Sequence, residues 1–182
     1  MKTSIFTRIK HLSLTLDGRL RFISIEHLQT IVNLSSIDCL SFLICLHTFI
    51  DKTQFIDYLS LLFKRTSNIR TLKLTYMPIE ESLVEIEVLR AILPESIRHL
   101  HISIVNFEQM KSIVENFDQL LSVTFSTSEY FNEITEYLNL IRKNSIVSFG
   151  SDYRSIQIWL GTLIKSEKDK SPLRKFFRRF WH

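Results

Sequence analysis

Glycine and proline are nearly missing from this chain, with three of each in 182 residues. Tight hairpins use glycine for positive φ and proline to pre-set turns, so a sheet made mainly of hairpins is excluded. Gly18, Gly150 and Gly161 lie too far apart to build a GxGxxG or P-loop phosphate cradle. GxSxG and HExxH are also missing. Cys39 and Cys45 are the only cysteines, too few for a disulfide framework. The N-terminus meets charge too soon, at Lys2 and Arg8, to read as a signal peptide. The most apolar run, Leu40 to Ile50, is about half a membrane span and contains His47. A reduced cytoplasmic or nuclear protein is the expectation.

Charge is unevenly spread. The chain carries 23 Lys and Arg against 19 Asp and Glu. Seven of those cations and two of those acids fall in residues 165–182, a net of +5. Residues 1–164 are left with 16 and 17, a net of −1. The basic balance belongs to the tail, so the body offers no field for nucleic acid, and no nucleic-acid partner is expected.

What the chain does have is a repeat. The pattern apolar-x-x-apolar-x-apolar occurs at Ile9-Leu12-Leu14, Ile37-Leu40-Phe42, Ile69-Leu72-Leu74, Ile97-Leu100-Ile102 and Leu120-Val123-Phe125. A shorter version, Ile146-Val147-Ser148-Phe149, follows. The second apolar positions are spaced 28, 32, 28, 23 and 26 residues apart. Alternation inside each unit is the period of a short strand. Between the strands the period changes to that of a helix face. Phe55, Leu59, Leu62 and Phe63 form one such stripe, and Leu83, Ile86, Leu89 and Leu93 a second. Phe107, Met110, Ile113, Val114 and Phe117 form a third, and Phe131, Ile134, Leu138 and Ile141 a fourth. Ser82 and Asn106 stand at N-cap positions, Gln109 completes a capping box with Asn106, and Pro94 closes the helix before it. The 14 phenylalanines recur at core spacing, which favours packing over a base-stacking platform.

Strands alternating with helices predict an α/β fold with a parallel sheet. Strands this short, in units this alike, fit a right-handed solenoid of about five to six units over residues 1–164, with strands on the concave face and helices on the convex one. The units resemble leucine-rich repeats of the long, helix-containing type, L-x-x-L-x-L-x-x-N/C-x-L. Cys45 fills the N/C slot of the second unit, and Ile79, Phe107 and Tyr130 the last apolar position of the third to fifth. Asp17, Met77, Val105 and Ser128 fill the N/C slot elsewhere. Irregular repeats of this kind are similar to those of F-box/leucine-rich-repeat proteins, although no F-box stands here. That similarity implies a protein partner, in particular a substrate for ubiquitylation.

Candidate chemistry is thin. Glu80, Glu81, Glu85 and Glu87 read as acids complementing a helix start. His11, Cys39, His99 and His101 share a strand face, but the unit carrying Thr71 separates them, so no metal site is expected. Cys39 is expected to be exposed and Cys45 buried in turn packing. No cofactor is expected, and the chain reads as no enzyme. The strand positions between the core residues instead form a hydroxyl- and imidazole-rich surface for a partner. They are His11, Ser13 and Thr15; Cys39, Ser41 and Leu43; Thr71, Lys73 and Thr75; His99, His101 and Ser103; Ser122, Thr124 and Ser126.

Ile5, Ile9, Leu12 and Leu14 begin at once, so the first unit lacks a polar cap; either more sequence lies upstream or this edge meets a partner. At the other end, Ile156, Ile158 and Leu160 read as a final edge strand, followed by a polar tether. Ser171 and Pro172 then open a basic amphipathic helix. Leu173, Phe176, Phe177, Phe180 and Trp181 share one face; Arg174, Lys175, Arg178 and Arg179 take the other. Such a helix either caps the last repeat, the favoured reading, or lies on a membrane or an acidic partner, the alternative.

Overall fold

A computed structural model describes residues 4–17, 22–45, 51–77, 85–103, 106–127, 129–150 and 154–163. It is a mixed α/β fold in which, among these residues, five helices accompany an open seven-stranded sheet. The strands are β1 (His11–Asp17), β2 (Cys39–Cys45), β3 (Thr71–Met77), β4 (His99–Ile102), β5 (Ser122–Phe125), β7 (Ile146–Phe149) and β8 (Ile156–Trp159). The helices are α1 (Ile25–Ile31), α2 (Lys52–Arg65), α3 (Ile86–Ile92), α4 (Phe107–Asn116) and α5 (Phe131–Ile141). Two short strands, β6 (Arg142–Lys143) and β9 (Thr162–Leu163), pair separately and antiparallel.

The first four helices leave by the same device. The N–H of Val32, Thr66, Leu93 and Phe117 closes the last turn of α1, α2, α3 and α4 onto Leu28, Leu62, Leu89 and Ile113. A further turn then bonds Ile37 to Leu34, Ile69 to Thr66, Ile97 to Pro94 and Leu120 to Phe117. Ile37, Ile69, Ile97 and Leu120 are the first apolar residues of the repeated pattern, and each is at most 2% exposed. The turn sets the direction of the coming strand, and burial of its apolar residue fixes the depth. Ser24, Asp51 and Asn106 cap α1, α2 and α4 with their side chains. The Asn106 cap is the expected one. The cap of α3 is Glu85, which makes no side-chain cap bond, because the helix starts at Ile86; Ser82 lies outside the described residues.

Burial alternates along the strands as the sequence pattern requires. Leu40, Phe42 and Ile44, Leu72 and Leu74, Leu100 and Ile102, and Val123 and Phe125 are all at most 2% exposed. They join the helix stripes in one core. Phe55, Leu59, Leu62 and Phe63 of α2 are buried, as are Met110, Ile113 and Val114 of α4. Phe42 and Phe55 meet edge to face at 6.0 Å. The Tyr76 ring is also fully buried, but its hydroxyl has no partner among the described residues.

The five leading strands pair in parallel, β1 to β5 in chain order. The next strand departs from the expectation. Residues 146–149 do form β7, but β8 slips between it and β5 and runs antiparallel to both. Ile156 and Ile158 are therefore fully buried in an interior strand, and the sheet is not wholly parallel. The turn from β6 into β7 holds Asn144 at φ 60°, a left-handed position that asparagine tolerates. Arg142 secures this end. Its Nε and Nη2 donate to the Val114 carbonyl at 3.0 and 2.7 Å, and its Nη1 to Gly161 at 3.0 Å. A guanidinium thus satisfies the negative end of α4 and ties it to the turn between β8 and β9.

Replacing Leu72 or Leu100 by Ala is expected to cost about 2–5 kcal/mol, because each leaves a cavity under the sheet. Tyr76→Phe removes only an unpaired hydroxyl and is expected to leave stability unchanged or raise it. Urea unfolding of the three variants checks both; a loss below about 1 kcal/mol in either alanine variant argues against the strand assignment.

Candidate functional site: the open face of the sheet

The strand positions opposite the core line up in register. One row runs His11, Cys39, Thr71, His99, Ser122, Trp159 and Ile146. The next runs Ser13, Ser41, Lys73, His101, Thr124, Gln157 and Ser148. The ten residues His11, Ser13, Cys39, Ser41, Thr71, Lys73, His99, His101, Ser122 and Thr124 thus fall in two adjacent lines on one face. His11 and Ser13 are exposed and the other eight half-buried. A third row carries Thr15, Leu43 and Thr75.

The imidazoles are positioned. His99 Nδ1 lies 2.8 Å from Ser122 Oγ, and His101 Nε2 lies 3.0 Å from Ser126 Oγ. The Trp159 ring stands edge-on to His99 at 6.1 Å. Trp159 and Ile146 are 53% and 62% exposed, so the face ends in an apolar platform. The sequence pattern does not place these two residues here. Their signal is alternation, which says nothing about strand direction or which strand becomes the neighbour.

Two expectations are corrected. Ser103 is only 1% exposed and does not join the face. It follows the end of β4, and its Oγ accepts the Tyr76 N–H at 3.3 Å, continuing the sheet bonding where β4 has stopped. Cys45 is half-buried and not sealed in a turn. It is six residues from Cys39 on the same strand, so both share the open face. Val105, Ser128 and Ile79 lie outside the described residues, as do Glu80, Glu81 and the tail residues Arg174, Lys175, Phe176, Phe177, Arg178, Arg179, Phe180 and Trp181.

The groups on this face are chemically mild. Burial pushes the Cys39 thiol up, with Lys73 opposing, so it is held in the poorly nucleophilic thiol form. His99 has Ser122 and the Trp159 ring as neighbours, and among the described residues no carboxylate is bonded to it to orient it for a nucleophilic serine. Hydroxyl, amide and imidazole groups both donate and accept, and they are desolvated at far lower cost than full charges. Lys73 is the one fully charged group of the first two rows.

A second polar cluster, between α4 and α5, is not evident from the sequence. Lys111 is 5% exposed, and its Nζ lies 2.5 Å from Glu108 and 5.1 Å from the Phe107 ring centre. The Tyr137 hydroxyl donates to Glu115, and burial together with that carboxylate pushes its pKa up. The Glu108–Lys111 spacing is a visible i,i+3 pair, but nothing in it foretells burial. Its groups serve each other and pin one helix to the next.

Among the described residues, no helix is long and apolar enough to cross a membrane. No family model, curated protein or solved structure matches the chain.

In a Cys45→Ser background, alkylation of Cys39 is expected to accelerate with a midpoint above the ordinary thiol range. A profile shifted down instead would mark Cys39 as an activated nucleophile.

Proposed function

We propose that this chain is a protein-interaction module of the leucine-rich-repeat type, binding its partner across the open face of the sheet. Its strands would then line the concave side of a solenoid. The reading rests on one observation above all: five parallel strands in register set ten side chains, mostly hydroxyl and imidazole groups, in two lines. The repeated helix-exit turn supports the repeat assignment, since one local device recurs at each of four units. Stacked units bury a shared core and leave a surface that varies freely in sequence.

Such a face suits a polypeptide. Its hydroxyls and imidazoles bond peptide groups with little desolvation cost, and Trp159 with Ile146 supplies the apolar anchor that a stable interface needs. By its resemblance to F-box/leucine-rich-repeat proteins, we propose that the partner is a substrate for ubiquitylation.

His101→Glu and Thr124→Glu each place a carboxylate in the middle of the second row, the first beside Lys73 with loss of the imidazole and the second as a charge with no cation next to it in the row. Each is expected to weaken capture of partner proteins at least tenfold while leaving the circular dichroism spectrum intact, since about 1.4 kcal/mol is a factor of ten. Quantitative affinity capture from cell extract, wild type against variants, makes the comparison. Unchanged capture by both variants would move the site off this face.

A further inference from the structure

We infer that β1 is a self-complementary edge through which two copies of this chain join their sheets. Among the described residues, no strand pairs with the outer side of β1. Its seven residues, His-Leu-Ser-Leu-Thr-Leu-Asp, carry no proline or lysine to blunt that edge. Leu12 and Leu16 are only half-buried, whereas Leu40, Phe42 and Ile44 on the neighbouring strand are fully buried. Ile5, Phe6 and Ile23, from segments on either side of β1, are exposed. Among the described residues, the core is thus incompletely covered at this end, and the open edge of β1 can accept another strand.

The identity of that strand is written in β1 itself. A two-fold axis perpendicular to a sheet makes the junction between copies antiparallel and pairs each residue with its mirror position. About Leu14, that pairing sets Leu12 against Leu16 and Ser13 against Thr15 of the second copy. It sets position 11 against position 17, histidine against aspartate. Apolar meets apolar, hydroxyl meets hydroxyl, and a basic residue meets an acidic one at both ends. These are the cross-strand pairs that stabilise an antiparallel ladder. Neither β2 (Cys-Leu-Ser-Phe-Leu-Ile-Cys) nor β3 (Thr-Leu-Lys-Leu-Thr-Tyr-Met) has this symmetry. Because every pairing keeps side chains on their own face, the junction joins the two cores on one side and the two open faces on the other. The inference concerns the β1 edge, whose residues His11 and Ser13 also belong to the open face, and it does not depend on a partner binding there.

Sedimentation and native mass spectrometry of the full chain at micromolar concentration test it. The wild type is expected to be a dimer. His11→Asp places Asp against Asp17 of the second copy, and Asp17→Lys places Lys against His11. Each single variant is expected to dissociate at least tenfold more readily. Mixing the two variants is expected to yield the heterodimer in preference to either homodimer, since each Asp then faces a base. The double variant H11D/D17K is expected to recover the wild-type affinity. Circular dichroism of the monomeric variants confirms that they stay folded. A monomeric wild type overturns the inference, as does a dimer indifferent to these changes. Single variants that dissociate without recovery on mixing or in the double variant also overturn it, because the register would then be wrong.

Discussion

The carbonyl of Lys10 accepts two backbone N–H groups, those of Asp38 and Cys39, and the same fork recurs at Asp38, Arg70 and Arg98. Each fork grips the first residues of the next strand at 2.7–3.1 Å, so every strand enters the sheet at one height. The register of the ladder follows from that grip. A slip of one residue would turn Leu40, Leu72 and Leu100 to water and bury Ser41, Lys73 and His101. The apolar residue just before each fork, at Ile37, Ile69, Ile97 or Leu120, makes such a slip costly. Burial and backbone bonding therefore enforce one alignment, and the straight rows on the open face are its consequence.

The device changes at the fifth strand. The carbonyl of Leu121 takes the Leu160 N–H, from a strand running the other way. The chain after α5 does not re-enter the sheet beside β5. It turns at Arg142, whose guanidinium is engaged by Val114 and Gly161, lays down β7, and returns through Gly150 to place β8 between β5 and β7. The antiparallel strand at this end puts Trp159, the largest exposed aromatic among the described residues, on the open face. The parallel strands carry most of the hydrogen-bonding side chains of the open face; the antiparallel end carries exposed apolar area.

Much of this architecture is legible in the amino-acid pattern. Alternation names the core residues of β2 to β5, and the helical stripes name those of α2, α4 and α5. All ten proposed contact residues share one face because parity alone puts them there. The departures have physical reasons. Parity also governs Cys45, yet the repeat pattern assigns it to a buried slot, and the strand simply continues through it. Ser103 follows parity in sequence, but β4 ends at Ile102, and the Ser103 hydroxyl accepts the Tyr76 N–H instead of facing outward. The helix α1 is hidden in the sequence although Ser24 caps it and Ile25, Leu28 and Val32 are buried, because a helix of seven residues shows too little periodicity to stand out. The place of β8 is beyond reach, since an alternating strand carries no mark of its direction.

The alignment of the rows carries everything built on them, and nuclear magnetic resonance reads that alignment directly. Cross-strand contacts are expected between Thr71 and His99 and between His99 and Ser122 with parallel geometry. Ser122 and Trp159 are expected to show the short Hα–Hα contact or the close amide pair that only antiparallel strands give. That set of contacts would fix both the polar rows and the apolar end of the face. Contacts shifted by one residue, or a parallel pattern between Ser122 and residues 156–159, would contradict it.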